Sequence, residues 1–458
     1  MNPINMTRRG FLKRSGSAGM GTAAVVGGLG HLGAATAQAQ DDYKALVCIL
    51  LAGGADSFNM LVPLGNSEYQ EYANTRRDLA LAQSSLLPLS GTTRNGKSVG
   101  LHPAMAPLQS GYEAGRIAFV ANTGPLVEPT TPEVLGNGAA KLPLGLYSHS
   151  DQIAHWQTGT PDARLPSGWG GRMADLLDYT NSNPNISMSI SMAGTNLYQS
   201  GTMTQQYTVA PDGAIPQVQG LQGEDVNEER STAISGIFGN AYDSMLRRAY
   251  QGVFNRAQAA NAQFSQALGS VSPFTAAFGA DPFSQAMQTV ARTIAARNQL
   301  GMNRQTFLVL YGGWDHHDEL LNNQAAMLAP LSAGMAAFQS AVDELGLGNQ
   351  VTTFTTSDFA RTLSSNGRGS DHGWGGNHMV MGGAVRGGQV IGDYPDLALG
   401  NPRDTGRGVL LPHISTDEYF AELALWFGIA PSDLDIVLPN VSRFYSPLSG
   451  QMPLGFMA

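Results

Sequence analysis

Three aspartates follow apolar runs at points where the chain would leave a buried strand. Asp56 comes after LLAGGA, Asp315 after LVLYGGW and Asp358 after TFTTS. Because the carboxyl ends of strands in an open parallel sheet face one crevice, carboxylates that are far apart in sequence can converge there. Carboxylates gathered in this way are typical ligands of divalent metal ions. Each aspartate could instead cap the helix that follows it.

Histidines lie close to one of these aspartates and to a later loop. His317 follows Asp315 by two positions, and His372 and His378 belong to the segment SDHGWGGNH. Mixed Asp and His ligands on loops suit zinc or manganese, and several carboxylates can hold two ions. Four of the nine histidines, counting His316, fall in these two segments, which favours a divalent metal site. A single histidine near Gly and Trp could also be a packed structural residue.

A candidate nucleophile, Ser148, lies in the segment YSHSD, directly before a predicted helix that runs to Thr158. A serine at a helix N-terminus lies at the positive end of the helix dipole, which favours an anionic substrate or an alkoxide. The alternative is that Ser148 or Ser150 only caps this helix. Arg361 follows Asp358 by three positions and could bind an oxyanion with two hydrogen bonds, or make a surface ion pair.

The elements that must position these residues alternate between strands and helices. The apolar run KALVCILLA at residues 44–52 is typical of a strand buried on both faces, and a Gly-rich loop follows it. Further strands are predicted at residues 117–121, 305–310 and 350–355. Helices are predicted at residues 67–81, 102–114 and 323–345. This order favours a mostly parallel sheet with helices on both sides.

Three further segments complete the predicted fold. Residues 182–222 alternate and turn, which indicates antiparallel hairpins at a sheet edge, and a last hairpin is predicted for residues 379–391. Residues 231–302 are rich in Ala and Gln with helical spacing, which predicts a helical insertion. A C-terminal helix is predicted near residues 416–427, with Ser415 as its N-cap.

The N-terminus is typical of a twin-arginine export signal. Residues 7–13 read TRRGFLK, and a Gly- and Ala-rich stretch leads to a small-residue site that predicts cleavage after Ala39, with cleavage after Ala37 as the competing site. The stretch is too short to span a membrane, and no stable span is predicted elsewhere. The twin-arginine translocase is therefore the predicted partner during export, and the periplasm or cell surface the predicted location. Residues 40–458 are predicted to form a single domain.

Charge and cysteine content exclude some functions. The formal net charge is −9, and the basic signal contributes no acid, so its removal makes the chain more acidic still. An acidic surface repels nucleic acid phosphates, so no nucleic acid partner is expected. Cys48 is the only cysteine, which excludes an intramolecular disulfide and leaves stability to a large core.

Long motifs extend this interpretation. LLAGGADSFNMLVPL, GLHPAMAPL, YSHSDQIAHWQTGTP, LVLYGGWDHHDELLNNQAAML and TTSDFARTLSSNGRGSDHGWGGNHMVMGGAVRGG together span most of the mature chain. With the twin-arginine signal, they resemble the exported bacterial family called domain of unknown function 1501. That family looks like a distant branch of the alkaline phosphatase and sulfatase superfamily. The resemblance implies an α/β sandwich with a mostly parallel central sheet, helices on both faces and a helical insertion.

The resemblance also implies roles for the candidate residues. Asp56 is similar to the N-terminal metal ligand, Ser148 to the nucleophile, Asp315 with His317 to one metal pair, Asp358 to the acid of an Asp-His-Gly motif, and His372 or His378 to the final histidine. One departure is that Phe359 stands where phosphatases usually have a metal-binding histidine. The motif of formylglycine sulfatases is absent from the sequence.

These residues lead to two hypotheses about function. The first is a metal-dependent hydrolase of phosphate or sulfate esters, acting on a small-molecule or glycan ester with Ser148 as the attacking group. The second is a non-catalytic envelope protein that binds a ligand or partner through the same crevice. Phe359 separates them at the sequence level, since a histidine at this position would favour catalysis.

Overall fold

Residues 44–52 form the centre of the molecule, as their unbroken apolar sequence predicts. A computed structural model describes residues 43–215, 226–240 and 244–458. Strand β1 (Lys44–Ala52) pairs in parallel with β8 (Arg304–Gly312) on one side and with β9 (Val351–Ser357) on the other. Seven of its nine residues are buried, because both faces of the sheet are covered.

The described residues contain one large sheet and two small ones. The remaining strands of the large sheet are β5 (Ile117–Gly124), β6 (Ser189–Ser191), β7 (Tyr207–Thr208), β12 (Gly376–Met381), β13 (Gln389–Ile391) and β14 (Ile414–Ser415). Its order is β13-β5-β12-β9-β1-β8-β6-β7, and β14 also pairs with β5. The small sheets consist of β2 (Leu61–Pro63), β3 (Leu87–Pro88) and β4 (Val99–Leu101), and of β10 (Arg361–Ser365) and β11 (Ser370–His372). Only β12 runs antiparallel to its neighbours in the described sheet, which confirms the mostly parallel arrangement.

Helices cover both faces of this sheet. They are α1 (Asn66–Arg76), α2 (Ala106–Glu113), α3 (Pro132–Gly136), α4 (His149–Thr158), α5 (Trp169–Leu177), α6 (Val226–Gly239), α7 (Met245–Gly269), α8 (Pro282–Ala295), α9 (Leu320–Glu344), α10 (Thr416–Phe427) and α11 (Leu434–Val437). On one face, Leu308 of β8 shares a core with Trp169 of α5 and Phe420 of α10. On the other face, Tyr311 of β8 stacks on Phe283 of α8 with ring centroids 4.9 Å apart. Since side chains alternate along a strand, these contacts confirm the predicted α/β sandwich.

Within the described residues, the strands of both predicted hairpin segments pair differently from the prediction, and residues 216–222 of the first segment lie outside the described residues. Strands β6 and β7 pair in parallel, with Ile190 opposite Tyr207. Strands β12 and β13 do not pair with each other, since both pair with β5, the first antiparallel and the second parallel. An alternating sequence states which face of a strand is apolar but not which strand lies beside it. The path of the chain between two strands decides which strands become neighbours, and the sequence pattern within a strand does not show that path.

The compact unit identified from contacts runs from Lys44 to Ala458. The segment predicted as a helical insertion, residues 231–302, contains α7 and α8 and most of α6. Among the described residues, α9 has the length and apolar composition of a membrane span, and half of its most apolar stretch is buried. It packs against α2 and α8 as a core helix. The predicted signal peptide, residues 1–39, lies outside the described residues.

Candidate metal centre

The loops that follow β1, β8 and β9 meet at the carboxyl edge of the sheet. The backbone N–H of Gly53 donates to Oδ1 of Asp358 at 3.0 Å, and the N–H of Trp314 donates to the carbonyl of Ala52 at 3.1 Å. Gly53 has φ +118°, and a Cβ atom there would lie 2.6 Å from the backbone nitrogen of Asp315. Only glycine allows these loops to approach so closely.

Three histidines at this edge direct one ring nitrogen at a fixed acceptor. The Nδ1 contacts are His372 to the carbonyl of Tyr147 at 2.9 Å, His149 to Oδ2 of Asp358 at 2.7 Å, and His317 to Oδ1 of Asp371 at 3.2 Å. Carbonyl and carboxylate oxygens only accept hydrogen bonds. These contacts favour the tautomer with the proton on Nδ1, which leaves the lone pair on Nε2.

The Nε2 atoms converge with the carboxylate of Asp315. Nε2 of His317 lies 3.0 Å from Nε2 of His372, and these atoms lie 3.1 and 3.4 Å from Oδ1 of Asp315. Nε2 of His149 lies 3.5 Å from the other oxygen, Oδ2. Two ligands of a tetrahedral zinc ion are roughly 3.3 Å apart when each bond is about 2.0 Å. The residues present therefore fit a divalent metal ion.

We call His149, Asp315, His317 and His372 the metal centre. Ligand atoms of His149, Asp315 and His372 all lie within 4.8 Å of one another. Their side chains are 37, 43 and 25 % exposed, and that of His317 is 43 % exposed, so the centre is open to solvent. Sequence interpretation missed His149, although it stands beside Ser148 in the segment YSHSD. Its position in the first turn of α4 was the available signal.

Asp358 and Arg361 lie behind the metal centre. Asp358 is 1 % exposed, and its two oxygens bind Gly53 and His149. Arg361 is 1 % exposed and donates to the carbonyls of Gly53 and Gly54 and to the carboxylate of Asp315. The predicted oxyanion contact of Arg361 is therefore corrected, because its guanidinium is buried against the protein's own acceptors. The predicted ligand role of Asp358 is corrected to support of His149.

Asp56 was predicted as a ligand but lies outside the metal centre. It has no exposed surface, and its carboxylate forms an ion pair with Arg76, which is also fully buried. The second guanidinium nitrogen of Arg76 donates to the carbonyl of Thr362 at 3.0 Å. A buried carboxylate requires a charged or hydrogen-bonding partner, and α1 supplies it here.

His378 was also predicted as a ligand and is instead a core residue. Its ring packs against Trp156 and Tyr419, with centroids 4.5 and 6.1 Å away. Burial lowers its pKa from the ordinary value to about 3. It lies six positions after His372 in sequence, but it belongs to β12, within the main sheet, whereas His372 lies on the small sheet at the edge.

Ser148 occupies the N-cap position of α4. Its hydroxyl makes no capping hydrogen bond and lies 3.2 Å from the hydroxyl of Ser150. It stands between two residues of the site, since His149 faces Asp315 and the carbonyl of Tyr147 binds His372. Tyr147 has φ +75°, a conformation that is costly for a bulky residue. The backbone here is held in place for the contact with His372.

The ring of Phe359 packs against two histidines of the metal centre. Its ring centroid lies 4.8 Å from that of His149 and 4.4 Å from that of His372. The residue is 2 % exposed. This apolar ring therefore restricts the orientation of His149 and His372.

Burial and neighbouring charges shift the pKa values of Asp315 and His372 in the metal centre. Burial raises the pKa of Asp315, but the hydrogen bond and charge of Arg361 outweigh this effect and leave the pKa below its usual value. Burial lowers the pKa of His372, which the hydrogen bond to Tyr147 only partly offsets. An ionised carboxylate and a neutral imidazole are the forms that act as ligands.

The fold and the site together define an α/β protein with a His- and Asp-lined centre at the carboxyl edge of its sheet. Residues 43–405 match the model of the family described as "Protein of unknown function (DUF1501)". The chain belongs to this family, as its motifs predicted. No protein of curated function matches the sequence.

Several solved structures are similar in fold at low identity. They include the PsFucS1 sulfatase from Pseudoalteromonas sp., with 10 % identity, TM-score 0.35 and coverage of 88 % of this chain and 71 % of that chain. The soluble domain of lipooligosaccharide phosphoethanolamine transferase A from Neisseria meningitidis has 8 % identity and a TM-score of 0.34, with coverage of 87 % of this chain and 93 % of that chain. Alkaline phosphatase from Thermus thermophilus has 13 % identity and a TM-score of 0.27, with coverage of 70 % of this chain and 60 % of that chain. At these TM-scores the similarities carry no information about activity.

Proposed function

We propose that this protein is a metal-dependent hydrolase of phosphate or sulfate esters. The observation that carries the proposal is the 3.0 Å separation of Nε2 of His317 and Nε2 of His372. Both rings donate their Nδ1–H to other acceptors, so two lone pairs face each other across this distance. A cation between them removes the repulsion, and Asp315 beside them supplies the negative charge that retains it.

His149, Asp315, His317 and His372 would hold the ion, and the ligand set suits zinc or manganese. When bound, such an ion lowers the pKa of an attacking group and neutralises charge in the transition state. Asp358, Asp371 and the carbonyl of Tyr147 hold the histidine rings in orientation through Nδ1. Such supporting contacts are a general feature of metal sites and raise ligand basicity.

Local charge favours an anionic substrate. Three carboxylates, Asp315, Asp358 and Asp371, face two arginines, Arg361 and Arg407, within this group. A divalent cation changes this balance from one negative to one positive charge. An anionic ester would then be attracted to the metal centre, and small-molecule and glycan esters meet this requirement.

Ser148 is the proposed attacking residue. It precedes a helix of ten residues, whose N-terminal dipole favours negative charge on the hydroxyl oxygen and on the substrate. Its hydroxyl has Ser150 as a neighbour and is not committed to a capping bond. His149, the next residue, holds Ser148 beside the centre.

The remaining parts of the proposal concern location. The arginine pair of TRRGFLK supports export by the twin-arginine translocase to the periplasm or cell surface. This route transports folded proteins, which suits a protein that acquires its ion before crossing the membrane. The acidic net charge of −9 supports a function without a nucleic acid partner.

Metal analysis and an ester panel test the proposal. The purified protein is expected to hold a divalent ion and to hydrolyse at least one phosphomonoester, phosphodiester or sulfate ester. Asp315→Ala should lose both properties, while His378→Gln, at a core histidine outside the centre, should keep them. Ser148→Ala should abolish turnover while metal content is unchanged.

Two outcomes would contradict the hydrolase. Absence of bound metal after growth with zinc or manganese would remove its basis. If the parent protein binds metal but hydrolyses none of the esters, and Ser148→Ala has the same metal content and the same lack of activity, the non-catalytic binding protein would be supported. Arg361 favours this second candidate, because a buried arginine that already binds Asp315 cannot stabilise a substrate oxyanion.

A further inference from the structure

Arg407 belongs to a loop, residues 404–408, that precedes β14 and lies at the rim of the metal centre. Its guanidinium forms an ion pair with Oδ2 of Asp371. The other oxygen of Asp371 lies 3.2 Å from Nδ1 of His317. A single carboxylate therefore separates the guanidinium of Arg407 from a histidine of the metal centre.

The same loop also contacts the support of a second histidine. The side chain of Thr405 is hydrogen-bonded to the phenol of Tyr147, and the carbonyl of Tyr147 lies 2.9 Å from Nδ1 of His372. Nε2 of His372 lies 3.0 Å from Nε2 of His317. The 404–408 loop is therefore held beside the ligand atoms from two directions.

The backbone of Arg407 has an uncommon conformation. Its φ is +58°, in the left-handed region that costs free energy for residues other than glycine. The carbonyl of Arg407 accepts a hydrogen bond from the hydroxyl of Ser364 at 2.7 Å. Oδ1 of Asp404 accepts from the N–H groups of Gly406 and Gly408 at 2.8 Å each. These bonds fix the turn, so the loop sets the direction in which the side chain of Arg407 leaves the backbone.

The guanidinium of Arg407 has unused hydrogen-bond donors. An arginine side chain carries five N–H donors, and among the described residues only Asp371 accepts from this one. The side chain is 62 % exposed. Arg361, by contrast, is 1 % exposed and uses Nε and both terminal nitrogens on acceptors of the protein. Arg407 can therefore receive a ligand that Arg361 cannot.

We infer that Arg407 binds the phosphate or sulfate group of the ester at the metal centre, an inference that rests on the proposed function. The remaining N–H groups of a guanidinium can donate two hydrogen bonds to such a tetrahedral oxyanion. A surface ion pair with Asp371 alone would contribute little to stability and would not require a left-handed backbone. Backbone strain of this kind is concentrated at binding and catalytic sites.

Titration with inorganic phosphate tests the inference on the full chain, with and without zinc or manganese. The parent is expected to bind phosphate in both forms, more weakly without metal. Arg407→Gln should bind it at least about ten-fold more weakly than the parent in each form, since hydrogen bonds to charged groups have this effect. Arg407→Lys should be intermediate, because it keeps the charge but not the fork of donors. The KM of a hydrolysed ester should rise in the same order.

Arg94→Gln is the matched control. The side chain of Arg94 is 69 % exposed and also pairs with an aspartate, Asp393, so this variant should bind phosphate as the parent does. Equal phosphate affinity in Arg407→Gln and the parent, or no phosphate binding by the parent, would overturn the inference. Loss of the metal ion in Arg407→Gln would also overturn it, because Arg407 would then act only by positioning Asp371.

The outcomes separate this inference from the hydrolase. Phosphate binding that depends on Arg407, without hydrolysis of any ester, supports the inference and contradicts the hydrolase. Hydrolysis with the same KM and phosphate affinity in Arg407→Gln supports the hydrolase and overturns the inference. If the parent binds no metal, the hydrolase is contradicted, and the titration of the metal-free protein decides the inference.

Discussion

Two layers of acidic and basic side chains at the sheet edge both contain aspartates and differ in their exposure to solvent. In the outer layer, the metal centre, side chains are 25 to 43 % exposed and the three histidines direct Nε2 towards the carboxylate of Asp315. In the inner layer, formed by Asp56, Arg76, Asp358 and Arg361, exposure is 0 to 1 %. Each inner carboxylate already has a partner. Asp315 also pairs with Arg361, so burial together with a partner, and not a partner alone, separates the inner carboxylates from those that can act as ligands.

The largest expected effect is the loss of stability when the buried ion pair of the inner layer is broken. Asp56→Asn leaves the buried Arg76 without its counterion, and loss of one partner of a buried pair costs about 3–5 kcal/mol. Denaturant unfolding should show this loss of stability, while the folded fraction still binds metal. Replacing the pair together, Asp56→Asn with Arg76→Met, should recover part of the loss. If Asp56→Asn instead abolished metal binding in a protein of unchanged stability, Asp56 would belong to the outer layer.

Removing an outer ligand should affect metal binding and leave stability of the metal-free protein nearly unchanged. His372→Ala deletes a ligand atom that lies 3.0 Å from Nε2 of His317. We expect metal affinity to fall by more than the roughly 100-fold seen for supporting residues. Metal content per chain and a competitive titration measure the effect. His378→Gln is the matched control, and equal loss of metal in both variants would contradict the distinction between the layers.

Asp358 connects the two layers, so its substitution should have an intermediate effect. Asp358→Asn keeps the side-chain shape but no longer offers His149 a carboxylate at 2.7 Å. Metal affinity should decrease about 10- to 100-fold, the usual range for such supporting residues. Asp371→Asn should have less effect, because Asp371 is 31 % exposed and shares its charge with Arg407. A larger effect at Asp371 than at Asp358 would reverse the assigned order.

The smallest expected effect is a change in the pH dependence of stability caused by His378, a core histidine that belongs to neither layer. Burial holds the pKa of His378 at about 3 in the folded protein, against an ordinary value of 6.5. The unfolded chain therefore binds the proton first, so this contribution to stability is complete above pH 6.5 and is lost as pH falls towards 3. Between pH 6.5 and 5.5 the loss is about 1 kcal/mol.

His378→Gln should remove this part of the pH dependence, measured as the free energy of unfolding at the two pH values in metal-free buffer. A dependence of similar size over the same pH range should persist in this variant, since burial also lowers the pKa of His102 to about 4. An unchanged difference between pH 6.5 and 5.5 in His378→Gln would show that His378 is not the group responsible.

Local signals predicted the elements well and their neighbours poorly. The strand at residues 44–52 and the helix at residues 416–427 have the bounds that the sequence predicted. Ser415 and Glu418 form the capping box that fixes the start of that helix. The two hairpins were wrong because strand pairing depends on contacts between distant segments. Local alternation is the same for either neighbour.

The sequence by itself determined the central parallel sheet and the placement of Asp315, His317 and His372 near its carboxyl edge. An apolar run predicts each buried strand, and the loop that follows it places polar side chains at the carboxyl edge of the sheet. Only the tertiary structure decided that His149 joins these residues, while Asp56 and His378 do not. Availability as a ligand depends on which group faces each atom. Arg76 faces Asp56 and Trp156 packs on His378, and both partners come from distant segments that only folding brings together.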